Sequence, residues 1–322
     1  MTVVSSPPSP PPGEPGRGDG ARNGGLSGPR GRLVPWARRV SAVRQVAAST
    51  ALLLGVSLLA FAAYVTVFSR LHYDRVQAAD YALFRAELAQ AIAPTGPTQP
   101  ADPKMLLVPG TPVAVLHIPE IGLNAVVLEG TSNAVLEGGP GHLRDTQLPG
   151  QVGISEIVGR RAAYGGPFAR LSSLSPGQVF TVTTGQGVAR YRVIDERLAG
   201  DPVPRYSPGQ GRLILATADG PAFVPSGVLR IDANLISKPQ PAPEMVVSAA
   251  DLSPDEEALG TDSLAWVPLV LWGMCMAAAA IGLSWISQRW GLWQAWIIGV
   301  PVLGFLGLAV ADQAVQLLPN MM

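Results

Sequence analysis

Cysteine is nearly absent: Cys275 is the only one in 322 residues, so no disulfide can form within the chain. Charge is scarce as well. Asp, Glu, Lys and Arg make up 14% of the residues, against roughly 25% in an ordinary soluble domain. Neither sign is in excess, with 23 basic and 23 acidic side chains, which argues against a nucleic-acid-binding protein, whose footprint is a clearly basic domain. The sequence also lacks a Gly-rich phosphate loop, a His-Glu-x-x-His pair and any paired-cysteine metal spacing. It therefore implies no cofactor and no metal.

The missing charge is concentrated in blocks. No charged residue occurs from Gln45 to Ser69, from Ser263 to Gln288, or from Trp290 to Ala311. Each block reaches the ~20 residues that a helix needs to cross a bilayer and exceeds the ~10–14 typical of a buried core helix. Spans are accordingly expected at 45–69, 263–288 and 290–312. Six of the seven tryptophans (266, 272, 285, 290, 293 and 296) lie in the C-terminal pair, several near its ends, as in an interfacial aromatic belt.

Charge placement orients these spans. Residues 1–45 hold seven arginines (17, 22, 30, 32, 38, 39 and 44) against Glu14 and Asp19, whereas Asp251, Asp255, Glu256, Glu257 and Asp262 precede the second span without a positive partner. Arg289 is the only charge between the second and third. Positive flanks stay in the cytoplasm. The expectation is a multi-pass protein of the cytoplasmic membrane, with its N-terminus inside and residues 70–262 outside. The first run lies too far from Met1 for a simple cleaved signal and reads as a signal anchor.

Between the spans the texture changes repeatedly. Residues 1–44 form a Pro/Gly/Arg-rich cytoplasmic tail whose composition cannot bury a core. In 70–104, Val76, Leu83, Phe84, Leu88 and Ile92 fall close to one helical face before Pro94, Gly96, Pro97, Pro100 and Pro103 end the helix in a linker. From 105 to 237 come seven β-rich runs bounded by Gly and Pro: PVAVLHIP, NAVVLEG, GISEIVG, QVFTVTTG, GVARYRVID, GRLILATAD and GVLRIDANLI. Many short strands at such spacing suggest a closed barrel or sandwich, and about 130 residues can hold an independent core. An acidic linker, 238–262, leads back to the membrane, and 313–322 is a short tail.

Several segments, taken in order, carry a family likeness: HIPEIGLNAVVL (His117–Leu128), EGTSN (Glu129–Asn133), GPGH (Gly139–His142), LPGQVG (Leu148–Gly153), IVGRRAAYGGPF (Ile157–Phe168), Leu171–Gly177, Tyr191–Val193 with Asp201–Pro202, and RLILATAD (Arg212–Asp219). Their order and spacing resemble a sortase barrel of the kind found in high-GC Gram-positive bacteria, with class E and D character, over nearly all of residues 110–237. An Arg to Lys ratio of 21 to 2 fits such a genome. The resemblance implies a mainly β fold, a sortase-like β-barrel outside the membrane, to which the three spans add transmembrane α-helices. It also implies a membrane-anchored cysteine transpeptidase of the cell envelope, in which a thiolate attacks, a histidine protonates the leaving amine and an arginine holds the oxyanion.

Read one position at a time, that machinery is not there. The histidine position is Arg160, which cannot shuttle a proton because its guanidinium stays charged. The cysteine position is Ala218 and the arginine position is Val228, although Arg230 lies two residues on, where a strand's period of two gives it the same face. Independently of alignment, Cys275 falls inside the second span, so the barrel has no thiol. His117 and His142 read as structural histidines and His72 as interfacial. Ser155, Thr217 and Ser226 offer hydroxyls without a base nearby in sequence.

The candidate binding residues are Arg160, Arg161, Asp219 and Arg230, and two arrangements of them are open. Arg160 and Asp219 can pair across the vacated gap, or Arg160, Arg161 and Arg230 can line a cationic groove for a carboxylate or acidic segment. The first reading of function is a non-catalytic binding, scaffold or regulatory module. The alternative is a transpeptidase or peptidase with an unconventional or partner-supplied nucleophile. Expected partners are membrane lipid, a membrane protein at the C-terminal hairpin through Ala277–Ala280, Gly299, Gly304 and Gly307, and an envelope protein or peptide at the barrel groove, with no nucleic acid.

Overall fold

The computed structural model describes Phe61 and residues 64–261, 264–290 and 292–322. The tail 1–44 lies outside the described residues, as does the expected first span except for Phe61 and residues 64–69.

A π-helical turn, Tyr64–Phe68, leads into helix α1, Ser69–Gln90, which ends where Ala91 adopts a left-handed conformation with φ 56°. Of the apolar side chains expected on one face, Phe84 is fully buried, whereas Leu83 and Ile92 are about half exposed (49% and 51%). A two-stranded ribbon follows, β1 (Thr98–Gln99) and β2 (Asp102–Leu106). The remaining strands are β3 (Pro112–Ile118), β4 (Leu123–Glu129), β5 (Gly141–His142), β6 (Gly153–Val158), β7 (Val179–Thr184), β8 (Gly187–Arg197), β9 (Gly211–Asp219) and β10 (Gly227–Leu235), with helix α2 (Asn133–Gly138) between β4 and β5. They close into a barrel in the order β10-β8-β7-β3-β4-β5-β6-β9. All seven strands expected from the sequence are present, with ends shifted by no more than two residues.

The core follows from alternation. Leu213, Leu215, Leu229, Ile231 and Ala233 point inward with Leu116, Ile118, Phe180, Val182 and Tyr191. Strand β9 departs from the pattern, because every residue from Gly211 to Ala218 is buried. Its apolar run Leu213–Ala216, with Arg212 and Thr217 buried beside it, is that of a strand covered on both faces. The outer cover consists of Leu136, Leu259 and Met321, packed on Val158, Ala216, Ala218 and Val228.

Two long helices end the chain, α3 (Trp266–Trp290) and α4 (Leu292–Gln316), packed against each other. Windows Trp266–Leu283 and Ile297–Gln316 have mean hydropathies of 1.9 and 1.7, with 0% and 11% of their residues buried. Such apolar, uncovered surface does not suit core helices of a soluble fold. Among the described residues these two helices are the ones long and apolar enough to cross a membrane; they fall on the second and third expected spans, and the first, 45–69, lies outside the described residues except for Phe61 and residues 64–69. The acidic linker is docked on the barrel, not free: Arg144 grips the Glu256 carboxylate through Nε and Nη2, both at 2.7 Å. The Thr131 hydroxyl donates to the Glu256 carbonyl at 2.6 Å.

Candidate functional site

Strand pairing alone brings three separated positions together. β6 runs parallel to β9, so the loop that leaves Val158 emerges beside the end of β9. β9 and β10 are antiparallel, with Ala218 directly opposite Val228. Gly159 N–H donates to the Ala216 carbonyl at 2.9 Å, and the Thr217 hydroxyl donates to the Gly159 carbonyl at 2.9 Å, pinning the loop at this point. Glycine is needed at 159 because a Cβ there would come within 2.5 Å of the buried Phe168 ring. Arg160, Ala218 and Val228 thus converge at one end of the barrel, although the resemblance alone had linked them.

Their side chains do not make a reactive cleft. Arg160 is fully buried. Its Nε donates to the Leu136 carbonyl at 3.2 Å, and its Nη2 donates to the backbone and side-chain oxygens of Asn133, both at 3.1 Å. The guanidinium carbon lies 4.9 Å from the centre of the Tyr164 ring. Burial draws this group down from the ordinary arginine value, opposed by the nearby Glu137 and Tyr164. Burial pushes the Glu137 carboxyl up to about 7, with Arg160 pulling the other way, Asp312 adding to the rise and Tyr164 opposing it.

The expected pairing of Arg160 with Asp219 is not formed. Arg160 turns toward α2, and Asp219 accepts instead from the Ser226 hydroxyl at 3.1 Å. Nor do Arg160, Arg161 and Arg230 share one open cationic surface. Arg161 Nη1 donates to the Ala218 carbonyl at 3.0 Å, and Arg230 faces Glu156 at 3.8 Å on the outer surface of β6 and β10. Each cation has its own acceptors, and Arg160 Nη1 is buried with no hydrogen-bond partner among the described residues. Burial raises the Glu156 carboxyl and Arg230 lowers it, with burial prevailing.

The other candidates fall apart in space. His142 is buried and bonded through Nδ1 to Glu129 at 2.9 Å and through Nε2 to the Gln147 carbonyl at 3.0 Å, a satisfied structural position. His117 is exposed on β3, and His72 is exposed, with its ring edge-on to Tyr164. The Ser155 hydroxyl is buried and has no hydrogen-bond partner among the described residues. Cys275 is on α3 and exposed. No group of three or more His, Cys, Asp or Glu side chains among the described residues could hold a metal.

Sequence reasoning passed over Asn133, Glu137, Tyr164, Leu259, Asn320 and Met321. Tyr164 and Leu259 hold left-handed backbone, φ 49° and 61°, an outlying conformation for bulky side chains. Between them lie residues 320–322, all buried. The Arg161 and Ala163 N–H groups donate to the Met321 and Met322 carbonyls at 2.9 and 3.4 Å. No local sequence signal marks these contacts, since the partners are more than 150 residues apart.

Eight strands closed around one core, with the loops after β6 and β9 meeting at one end, define a class of barrel that is also recognised in sequence: residues 116–223 match the sortase domain family. The chain is 32% identical to sortase E from Streptomyces avermitilis, covering 45% of this chain and 100% of that one, with a TM-score of 0.36. It is 29% identical to sortase C-1 from Actinomyces oris, over 39% of this chain and 75% of that one, with a TM-score of 0.35. A sortase D5 transpeptidase from Clostridium perfringens is 19% identical, over 51% of this chain and 99% of that one, with a TM-score of 0.42. No curated protein matches the chain. The family match identifies residues 116–223 as a sortase domain.

Proposed function

We propose that this chain is a membrane-anchored, extracytoplasmic member of the sortase family that binds or scaffolds without cleaving. One observation carries the reading. At the end of the barrel where β6, β9 and β10 converge, the positions that the family likeness assigns to histidine, cysteine and arginine hold a buried structural arginine, an alanine and a valine. No thiol exists in the barrel, and the sole cysteine sits on an apolar helix of the hairpin. Without a nucleophile and a proton carrier in reach, a peptide bond bound there has nothing to attack it.

The hairpin supports the membrane placement. Both of its ends return to the barrel: the linker before α3 is clamped by Arg144, and the end of α4 is held where Asn133 Nδ2 donates to the Gln316 carbonyl at 2.8 Å. An even number of crossings between two points on the barrel keeps both on one side. The basic N-terminal flank supports the exterior for that side. Gly304 and Gly307 have open space around their Cα atoms, which leaves α4 room for close approach by another membrane helix.

The test is turnover. Full-length protein in detergent or nanodiscs is incubated with sorting-signal peptides, and hydrolysis and acyl-enzyme are followed by mass spectrometry. The expected result is neither. Turnover that disappears on substitution of a barrel residue would overturn the reading.

A further inference from the structure

The end of the barrel where Arg160, Ala218 and Val228 converge is not empty. Helix α4 stops at Gln316, its last turn tightens through Leu317 and Leu318, and Pro319 cannot continue it. Residues 319–322 then close a single turn, with Met322 N–H donating to the Pro319 carbonyl at 3.0 Å. This turn is inserted into the barrel end as a plug. Met321, 0% exposed, belongs to the same buried apolar cluster as Ala218, Val228, Val158, Ala216 and Leu136, against which Leu259 packs.

Polar contacts hold the turn from three sides. Asn320 N–H donates to the Gly260 carbonyl at 2.9 Å. The Asn320 side-chain amide nitrogen faces the carbonyls of Thr131, Asp255 and Glu257 at 3.0, 2.9 and 2.9 Å. Arg161 and Ala163 supply backbone donors to Met321 and Met322 from the opposite loop. Asn133 Nδ2 donates to the carbonyls of Gln316 and Leu318 just upstream.

Three convergent carbonyls read a donor. An amide NH₂ offers its two hydrogens to the three, one of them shared, while Asn320 Oδ1 is buried with no hydrogen-bond partner among the described residues; a carboxylate would set acceptor against acceptor there. The small side chains at 216 and 218 make the room that Met321 fills. The flanking Leu259 and Tyr164, held in left-handed backbone, show local geometry bent to enclose the turn.

We propose that this barrel end is a peptide-binding groove whose resident ligand is the chain's own segment 317–322, docked in cis, and that it selects a neutral Asn-Met turn through the carbonyls of Thr131, Asp255 and Glu257. The inference deepens the non-cleaving reading and rests on it for the same groove, but it concerns occupancy and not turnover. An outside peptide can enter only after the segment leaves.

The test uses the full chain carrying Cys275→Ser and Ala218→Cys, purified in detergent, with maleimide labelling of position 218 as the readout. Labelling is expected to be roughly tenfold or more slower with the segment present than in the same protein ending at Gln316, because access then needs local opening. A synthetic peptide of sequence QLLPNMM added to the shortened protein should restore protection. The same peptide with Asp in place of Asn should not. In the intact chain, Asn320→Asp should speed labelling while the circular dichroism spectrum stays unchanged, which separates release of the plug from unfolding. A second variant, Ala218→Cys with Met321→Cys, should form an intramolecular disulfide on oxidation. Equal labelling rates, protection by both peptides alike, or failure to cross-link would overturn the proposal. Cleavage of sorting-signal peptides by the chain with Ala218 in place, full-length or ending at Gln316, would instead overturn the non-cleaving reading and leave the occupancy result standing.

Discussion

The Arg160 guanidinium lies over the Tyr164 ring, 4.9 Å from its centre, and the same group donates to Asn133 and Leu136. A planar cation therefore ties the loop after β6 to α2. Replacement by leucine removes the donors and leaves buried carbonyl oxygens unpaired, at about 1–3 kcal/mol for each unsatisfied group. Arg160→Leu is expected to lower stability by about 3 kcal/mol, measured by thermal unfolding in detergent. Arg160→Lys should recover only part of it, since an ammonium cannot reproduce the fork or the flat contact with the ring.

Glu137 carries a pH signature. Burial pushes its carboxyl from the ordinary 4.5 to about 7, Arg160 and Tyr164 opposing and Asp312 adding to the rise. Between those values the folded chain holds a proton that the unfolded chain has lost, so its contribution to stability falls as pH rises through that window. Unfolding of the Glu137→Gln variant, compared with the parent from pH 4.5 to 8, should show this part of the slope removed and the variant at least as stable above pH 7.

His142 acts with the same sign for a different reason. Burial works against its charged form, but the charge and hydrogen bond of Glu129 outweigh it, so the imidazole is raised above its ordinary 6.5. That contribution is complete below about pH 6.5 and is lost as pH climbs through the higher folded value. In His142→Gln the loss should vanish. The double variant with Glu137→Gln should be nearly flat with respect to these two groups, as is checked by denaturant unfolding at stepped pH.

The Arg144 fork on Glu256 holds the acidic linker. Burial would raise the Glu256 carboxyl, but hydrogen bonds from Arg144 and Ser253 overcome it and keep it below the ordinary carboxylate value. Breaking a pair buried on the carboxylate side, with side-chain exposures of 17% and 4%, costs about 3 kcal/mol or more. Arg144→Ala should therefore release the linker, read out as faster proteolysis between residues 251 and 261 while cleavage within β9 and β10 is unchanged.

Legibility in the sequence followed the range of the interactions. β9 was visible as GRLILATAD because strand signals and glycine boundaries are local, whereas its cover on both faces emerged only in the structure. What supplied the cover was invisible. Met321 joins the buried cluster of Ala218 across a separation of about a hundred residues, and nothing in a ten-residue tail distinguishes a plug from a loose end. Arg160 was noticed as a residue that cannot carry protons, but its partners, Asn133 and Leu136, sit on a six-residue helix whose orientation depends on the whole barrel. Likewise, Arg160 does not pair with Asp219: its guanidinium donates to Asn133 and Leu136, and Asp219 accepts from Ser226, contacts that depend on the folded barrel.

Closure of the barrel also limits how the molecule can meet others. A sheet joined end to end presents no unpaired row of N–H and C=O groups for an incoming strand. The small ribbon of Thr98–Gln99 and Asp102–Leu106 is the exception: it stands outside the ring with every residue of its second strand exposed. Growth of this protein into a fibre or a strand-exchanged pair would have to start on that ribbon, whose Pro103 and Lys104 discourage such growth.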